Sequence, residues 1–437
     1  MNTSNKTVSD APRSWYHRIG PGLITACVVI GPGSILTSSK VGATHGLQMS
    51  WVVVIAVFFM MIYMTLGAKL GAVATVSAGT LVTQRAGRWL AALIGAGVFF
   101  ISAAFQFGNN LGVLSAFKEY EHYLRAIPGF QLYYVAILIN VLSISFLFAF
   151  RNLYRVVERL MMALVGLMVL SFAINLCFAR PSLSDFLLGF IPPIGDLFQA
   201  KSGNETILNI SLLGLIGTTF VITAAYFQSF LVRQKGWGRT ELRDGLIDVR
   251  IGSVIMASIT IMLMSTAAVE LRGQELKSVG EVAAGLKPAF GVLGHTLFCL
   301  GLFAAAYSSF LVNSMIGGFI LADGLGLGSK PTDLWPRLMT VVVLLTGMVV
   351  ALLVNRAGLN PVPAIVAAQA VTVVAAPLIA GALWWLTNRP DIMGADRNGT
   401  MTNVFALVGF VLLLAMAWYT AAYKVWPQVT NWLGAVD

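Results

Sequence analysis

The sequence Gly31-Pro32-Gly33-Ser34 interrupts the first long apolar stretch of the chain near its middle. Proline removes a backbone donor and clashes with the preceding helical turn, and flanking glycines lower the cost of non-helical backbone. In a membrane, the freed backbone groups must be satisfied inside the protein, and discontinuous helices of this kind bind ligands in transporters. We therefore predict a helix break at Gly31, Pro32 and Gly33 that contributes to a substrate site. The alternative is a simple proline kink in a packed helix.

Ionisable side chains avoid the predicted centre of the membrane. Of the 18 Asp and Glu residues, Glu158, Asp248, Glu270 and Asp323 lie near the ends of predicted spans, and the rest are in loops or tails. The three cysteines also fall inside spans and show no metal-binding spacing. The sequence therefore offers no cluster of the ligands that usually hold a dehydrated metal ion.

The composition places the chain in a membrane. Of its 437 residues, 57% are hydrophobic and 11% are charged, whereas a soluble domain usually carries about 25% charged residues. Many apolar runs reach the ~20 residues that span a bilayer, and the ~10-residue alternation of a membrane barrel is missing. The net charge of +10 lies in loops rather than on one face, so we expect a lipid bilayer as partner and no nucleic acid.

We predict an all-α integral membrane protein. Its eleven spans cover residues 19–45, 49–76, 88–117, 130–150, 153–179, 206–232, 247–271, 288–322, 335–355, 361–387 and 401–423. With the N-terminus in the cytoplasm, Lys and Arg favour the inside segments by 18 to 10. An odd number of spans leaves the C-terminus outside. The start of the chain lacks the features of a cleaved signal peptide, and we expect a bacterial inner-membrane location.

The longest polar connection divides the chain into two groups of five spans. An odd number of spans per group inverts the second group, as in the inverted repeats of transporters. The predicted parts are a cytoplasmic tail at 1–18, a first repeat at 19–179, an outer connection at 180–205, a second repeat at 206–387, and an additional helix with a tail at 388–437.

Several stretches together make the chain similar to the NRAMP family of divalent-metal transporters. Gly31-Pro32-Gly33-Ser34 resembles the family's Asp-Pro-Gly-Asn, and Ala68-Lys69-Leu70-Gly71 matches its Ala-Lys-Leu-Gly. The run Ala305-Ala306-Tyr307-Ser308-Ser309 resembles Ala-Gly-Gln-Ser-Ser, and Gln369 precedes Pro377 by the family's spacing. The resemblance covers nearly the whole chain. It implies the LeuT-like fold with a 5+5 inverted repeat, and transport by alternating access.

The departures from the family pattern fall at the pocket. Gly31 stands where the family has its metal-binding Asp, Val221 where it has Met, and Thr223 and Gln228 where it has His. The resemblance places the family's proton-route acids on Gln106 and Asn109. The positions that we predict to bind substrate are Gly31, Ser34, Thr37, Gln106, Asn109, Thr218, Val221, Thr223, Tyr226, Gln228 and Gln369.

Each of these polar positions also has a purely structural interpretation. Gln106 and Asn109 would then join helices through interhelical hydrogen bonds. Thr218 and Thr223 would bond to carbonyls of their own helix, and Tyr226 would pack in the core. The sequence leaves both interpretations open.

The leading expectation is a transporter that has lost the transition-metal site and the usual proton route and carries a small polar organic solute. The alternative is a divalent-metal transporter for Mn²⁺ or Mg²⁺ with an altered site, in which the ion keeps part of its water. A second alternative is a membrane sensor that transports nothing. No catalytic arrangement, cofactor motif or obligate protein partner is evident, so we expect neither an enzyme nor a bound cofactor.

Overall fold

The structure is a computed structural model, and it describes residues 20–118, 120–150, 152–192, 210–357, 362–427 and 430. Its longer helices, numbered in chain order, are α1 Pro21–Val29, α2 Pro32–His45, α3 Ser50–Val73, α4 Ala78–Ala86, α5 Arg88–Lys118, α6 Tyr133–Ala149, α7 Leu153–Ala179, α8 Ile210–Thr219, α9 Ile222–Lys235, α10 Leu242–Glu270, α11 Val279–Gly324, α12 Leu334–Ala357, α13 Val362–Asn388 and α14 Thr400–Thr420.

Each of the eleven predicted spans has a helical counterpart. Among the described residues, eight helices are long and apolar enough to cross a membrane, and the bent pair of α1 and α2 makes a ninth. The remaining two predicted spans coincide with the shorter helix α6 and with α13. The chain is therefore a multi-pass helical membrane protein, as its composition indicates.

Helix boundaries differ from the predicted ones where polar turns continue a helix beyond the bilayer. The seventh span was predicted to begin at 247, but α10 begins at Leu242. The eighth was predicted to begin at 288, but α11 begins at Val279 and bends at Gly291, where φ is 63°. Glycine adopts this left-handed conformation without steric cost, so the bend joins an outer helical segment to the span proper.

The first and sixth spans are both interrupted. Helices α1 and α2 meet at an angle of 60° across Ile30 and Gly31, as the Gly-Pro-Gly sequence predicts. The sixth span lacks proline, yet α8 ends at Thr219 and α9 starts at Ile222. The sequence alone does not predict whether the sixth span is continuous or interrupted.

The short helix α1 lies at the centre of the bundle, where it packs against α7, α9, α10 and α11. All nine of its residues are buried. Glycines bring it close to α10, because a Cβ at Gly22 would collide with the backbone of Asp248 and one at Gly252 with the backbone of Gly22. Small residues allow such backbone approach in membranes. The break at Gly31 is thereby held in the protein interior.

Candidate substrate site at the broken helices

Side chains from two helices, α2 and α11, satisfy the backbone groups that the first break exposes. Ser34 Oγ donates to Val29 O, and it also lies 3.1 Å from Thr218 O at the end of α8. Ser309 Oγ on α11 donates to Val28 O at 3.2 Å. These contacts provide the internal partners that a break in a membrane requires. Ser308 Oγ likewise lies 3.5 Å from Cys27 O, so adjacent serines of α11 both contact carbonyl groups of α1.

The two interrupted spans are joined by paired hydroxyl groups. Thr37 Oγ1 on α2 and Thr218 Oγ1 on α8 share a hydrogen bond of 2.9 Å. Each hydroxyl also lies 2.9 Å from a carbonyl one turn earlier in its own helix, Gly33 O and Gly214 O respectively. The structure therefore brings the predicted residues Ser34, Thr37 and Thr218 together at one point, where neutral oxygen atoms from two chain segments converge.

Gly31 has no space for the acidic side chain found in the resembling family. A Cβ at this position would lie 2.9 Å from Ser309 Oγ and 3.5 Å from Asn109 Oδ1. Asn109 Nδ2 in turn donates to Gln106 Oε1 at 3.3 Å, and both amides are buried. The predicted residues Gly31, Gln106 and Asn109 are thus neighbours, with an amide and a hydroxyl occupying the volume beside the break.

The neighbouring amides have a clear structural role. Asn110 Nδ2 donates to Gln106 O at 2.8 Å, and its Oδ1 accepts from Asn140 Nδ2 of α6 at 2.9 Å. This chain ties α5 to α6, as the interhelical interpretation predicts. Gln106 Nε2, by contrast, is buried without a protein partner, so this donor remains available to a water molecule or a ligand.

The break in the sixth span leaves several hydroxyl groups unpaired. Val221 occupies the gap and is buried. Thr219 Oγ1, Thr223 Oγ1 and Tyr226 Oη are also buried, and none has a hydrogen-bond partner. Buried polar groups in native proteins are normally paired, so Thr219 and Thr223 are candidates for contact with water or a transported ligand, whereas Tyr226 lines a separate small cavity further along α9.

One predicted residue stands apart from this cluster. Gln228 contacts the first turn of α1, where its Nε2 donates to Pro21 O at 2.9 Å and its Oε1 accepts from Gly22 N at 3.3 Å. It therefore fastens α9 to the start of α1, away from the break. Gln369 belongs to α13, but its side chain lies outside the described residues.

A large open cavity leads to the first break. Its volume is about 940 Å³, and Pro32 and Gly33 line it together with Lys118 at the end of α5 and Lys277 just before α11. We call this end of the bundle the outer end and the opposite one the inner end. Of the described residues lining the cavity, Glu121 alone is acidic, and it is paired with Arg125 at 2.8 Å. Lys277 is in turn paired with Glu275 at 3.7 Å, so Lys118 supplies the excess positive charge of the described lining.

Buried acids lie far from the break along their helices. Asp248 accepts hydrogen bonds from Gly20 N and Gly22 N at the start of α1. Asp323 at the end of α11 accepts from Gly79 N at 2.8 Å. Within the described part of the chain, no group of three or more His, Cys, Asp and Glu side chains is placed to hold a metal ion.

Comparison with known proteins identifies the family. The family model described as natural resistance-associated macrophage protein-like, or Nramp, matches residues 22–422. The chain belongs to the Nramp family. Among its relatives, the divalent metal cation transporter MntH of Deinococcus radiodurans is 24% identical over 413 residues, which cover 92% of this chain and 88% of that protein. The MntH protein of Mycobacterium leprae is 26% identical over 424 residues, covering 94% and 92%.

Solved structures confirm the fold. A manganese transporter of Eremococcus coleocola superposes with a TM-score of 0.78 at 18% identity, covering 96% of this chain and 88% of that one. MhsT in complex with L-phenylalanine superposes with a TM-score of 0.59 at 15% identity, covering 91% and 98%. The Nramp resemblance and the LeuT-like helical fold predicted from the sequence are therefore correct. The chain is a membrane transporter by family and not an enzyme.

Proposed function

We propose that this Nramp protein carries a divalent metal ion that keeps part of its water shell while it is bound. The observation that carries the proposal is the family match over residues 22–422, in a chain whose break is surrounded by neutral oxygen atoms. The relatives above are named divalent metal cation transporters. This weight of evidence favours our alternative expectation over the organic solute that was our leading one.

The donor chemistry at the break argues for a partly hydrated ion. Carboxylates compensate a hard ion for lost water, and thioethers select soft transition metals. Here Gly31 and Val221 occupy the positions where the family places an acid and a methionine. Mg²⁺ gives up its water reluctantly and usually binds through few protein ligands. Hydroxyl and amide groups such as Thr37 and Asn109 suffice to hold the waters of such an ion.

The outer cavity favours a second candidate, a polar organic solute that bears a carboxylate. Its volume of about 940 Å³ lies within the range of small-molecule sites. Lys118 and Lys277 line it together with Glu121, so the described lining has an excess of positive charge, and such an excess raises the local concentration of anions. A bare cation would gain nothing from these two lysines.

Flux measurements separate the two candidates. The full chain is reconstituted into liposomes, and uptake of Mg²⁺ and Mn²⁺ is measured beside a panel of amino acids and other small polar solutes. Uptake of Mg²⁺ or Mn²⁺ supports the proposal, and uptake of a carboxylate-bearing solute without either ion supports the second candidate. A chain that moves neither class contradicts both and leaves the sensor interpretation.

A matched pair of substitutions tests the site. Thr37→Val removes the hydroxyl group that is hydrogen-bonded to Thr218. Thr44→Val removes a hydroxyl group two turns later in α2, which donates to Lys40 O of the same helix at 2.8 Å. We expect Thr37→Val to lower cation uptake by about tenfold, from the loss of one hydrogen-bonding ligand. Thr44→Val is the control and should transport like the parent. Equal effects of the two substitutions would contradict the site.

A further inference from the structure

A second cavity, much smaller than the outer one, lies at the inner end of the bundle. Helix α5 runs from Arg88, just after α4, to Lys118 at the outer cavity, so α4 marks the opposite end. Ser77, Tyr226, Arg233 and Asp323 line this inner cavity. Its volume of about 10 Å³ holds the centre of about one water molecule.

Two donors facing this cavity have no protein partner. Tyr226 is 2% exposed, and its Oη is unpaired. Arg233 Nη2 donates to Thr75 O at 3.2 Å, but its Nη1 is buried and unpaired. The two residues are seven positions apart on α9, so they lie on one face of the helix, two turns apart. Orphaned buried donors of this kind normally bind ordered water.

Asp323 supplies the acceptor on the opposite wall. Its carboxylate accepts from Ser77 Oγ at 2.5 Å and Gly79 N at 2.8 Å, and it is 7% exposed. These bonds hold the start of α4 against the end of α11. A carboxylate has about four acceptor sites, and Thr80 Oγ1 at 3.4 Å uses at most one more. One acceptor site therefore remains for a water molecule.

We propose that this cavity binds one water molecule that bridges Tyr226, Arg233 and Asp323, and that the bridged cluster is a closed inner gate. The water accepts from Arg233 Nη1 and Tyr226 Oη and donates to Asp323. It thereby links α9, which carries part of the substrate site, to α11 and to the capped start of α4. The outer cavity is open in this conformation, so a closed inner end completes an outward-facing state. The gate does not depend on which substrate is carried.

Cysteine accessibility tests the gate in the reconstituted full chain. Ser229 lines the inner cavity, and Ser229→Cys is introduced after Cys27, Cys177 and Cys299 are replaced by serine. A membrane-impermeant methanethiosulfonate reagent is applied to each side of the membrane separately. From the inner side, Arg233→Met should raise the labelling rate at least tenfold, since it removes a charged partner of the bridge. Tyr226→Phe removes one neutral hydrogen bond and should raise it about fivefold.

The control is Arg239→Met, which removes an exposed arginine paired with Asp396 at 3.4 Å, and it should label at the parental rate. Tyr226→Phe changes one hydroxyl group, so its result stands even if Arg233→Met fails to fold. A high-resolution cryo-EM map supplies the second measurement. A density peak within hydrogen-bonding distance of all three side chains, lost in Tyr226→Phe, supports the water site. Unchanged labelling in both variants, or an empty cavity in the map, would overturn the proposal.

Discussion

Asp248 should be among the most sensitive positions in the chain. It is fully buried, and its two carboxylate oxygens accept from Gly20 N at 2.8 Å and Gly22 N at 2.5 Å. These N–H groups stand at the start of α1, which has no side-chain cap within its own segment. The first N–H groups of a helix lack intrahelical partners, and a negative charge at that end is stabilising. Asp248 therefore acts as a cap supplied by a distant helix.

The expected cost of removing this cap follows from the two bonds. A hydrogen bond to a charged group contributes about 1.5–3 kcal/mol, so Asp248→Ala should lose about 3–6 kcal/mol. Asp248→Asn retains one carbonyl acceptor and should lose about half as much. The asparagine NH₂ group would also face a backbone N–H group that needs an acceptor, and this mismatch lowers stability further.

Thermal unfolding of each purified variant in detergent, followed by intrinsic fluorescence, measures how much stability each substitution removes. Asp391→Ala is the control, because Asp391 is a solvent-exposed residue paired with Arg85 and Arg389, and such surface pairs contribute little to stability. We expect the apparent melting temperature to fall most for Asp248→Ala, less for Asp248→Asn and least for Asp391→Ala. An Asp248→Ala protein as stable as Asp391→Ala would refute the capping argument.

Two further predictions concern the outer cavity. Gly112→Ala should impair transport and destabilise the chain by about 1–3 kcal/mol through overpacking, because a Cβ there would collide with the ring of Pro32. Gly108→Ala is the matched control on α5, since a Cβ there meets no atom within 4 Å, and equal behaviour of the two in flux and unfolding assays would contradict the prediction. Replacing Lys118 and Lys277 by Glu should lower KM for a divalent cation at low ionic strength, and the effect should shrink as salt screens the charges. An unchanged or higher KM in the flux assay would argue against a cationic substrate.

Local features of the sequence predicted the break in the first span correctly. Proline between two glycines disrupts a helix whatever surrounds it, and α1 does end before Pro32. The sixth span shows the opposite case. It carries no proline, and the interruption between Thr219 and Ile222 directly follows two adjacent threonines, Thr218 and Thr219. Threonine tolerates both helical and non-helical backbone, so the sequence alone left a continuous and an interrupted span equally open.

The structure brings some of the predicted site residues together and separates others. Ser34, Thr37 and Thr218 meet at one point. Gln228 instead contacts the first turn of α1. Ser309 was not among the predicted site residues, yet it bonds the backbone beside the break and fills space next to Gly31. The residue type alone does not distinguish a hydroxyl that binds substrate from one that satisfies a carbonyl.

The sequence by itself determined the multi-pass helical membrane class, the break at Gly31-Pro32-Gly33 and the Nramp family. These properties depend on run length, proline chemistry and short motifs, which act over a few neighbouring residues. The tertiary structure alone decided which polar groups face a cavity and which cap a helix. Gly22 and Asp248 are 226 positions apart, and contacts at such separation exist only once the helices have packed together.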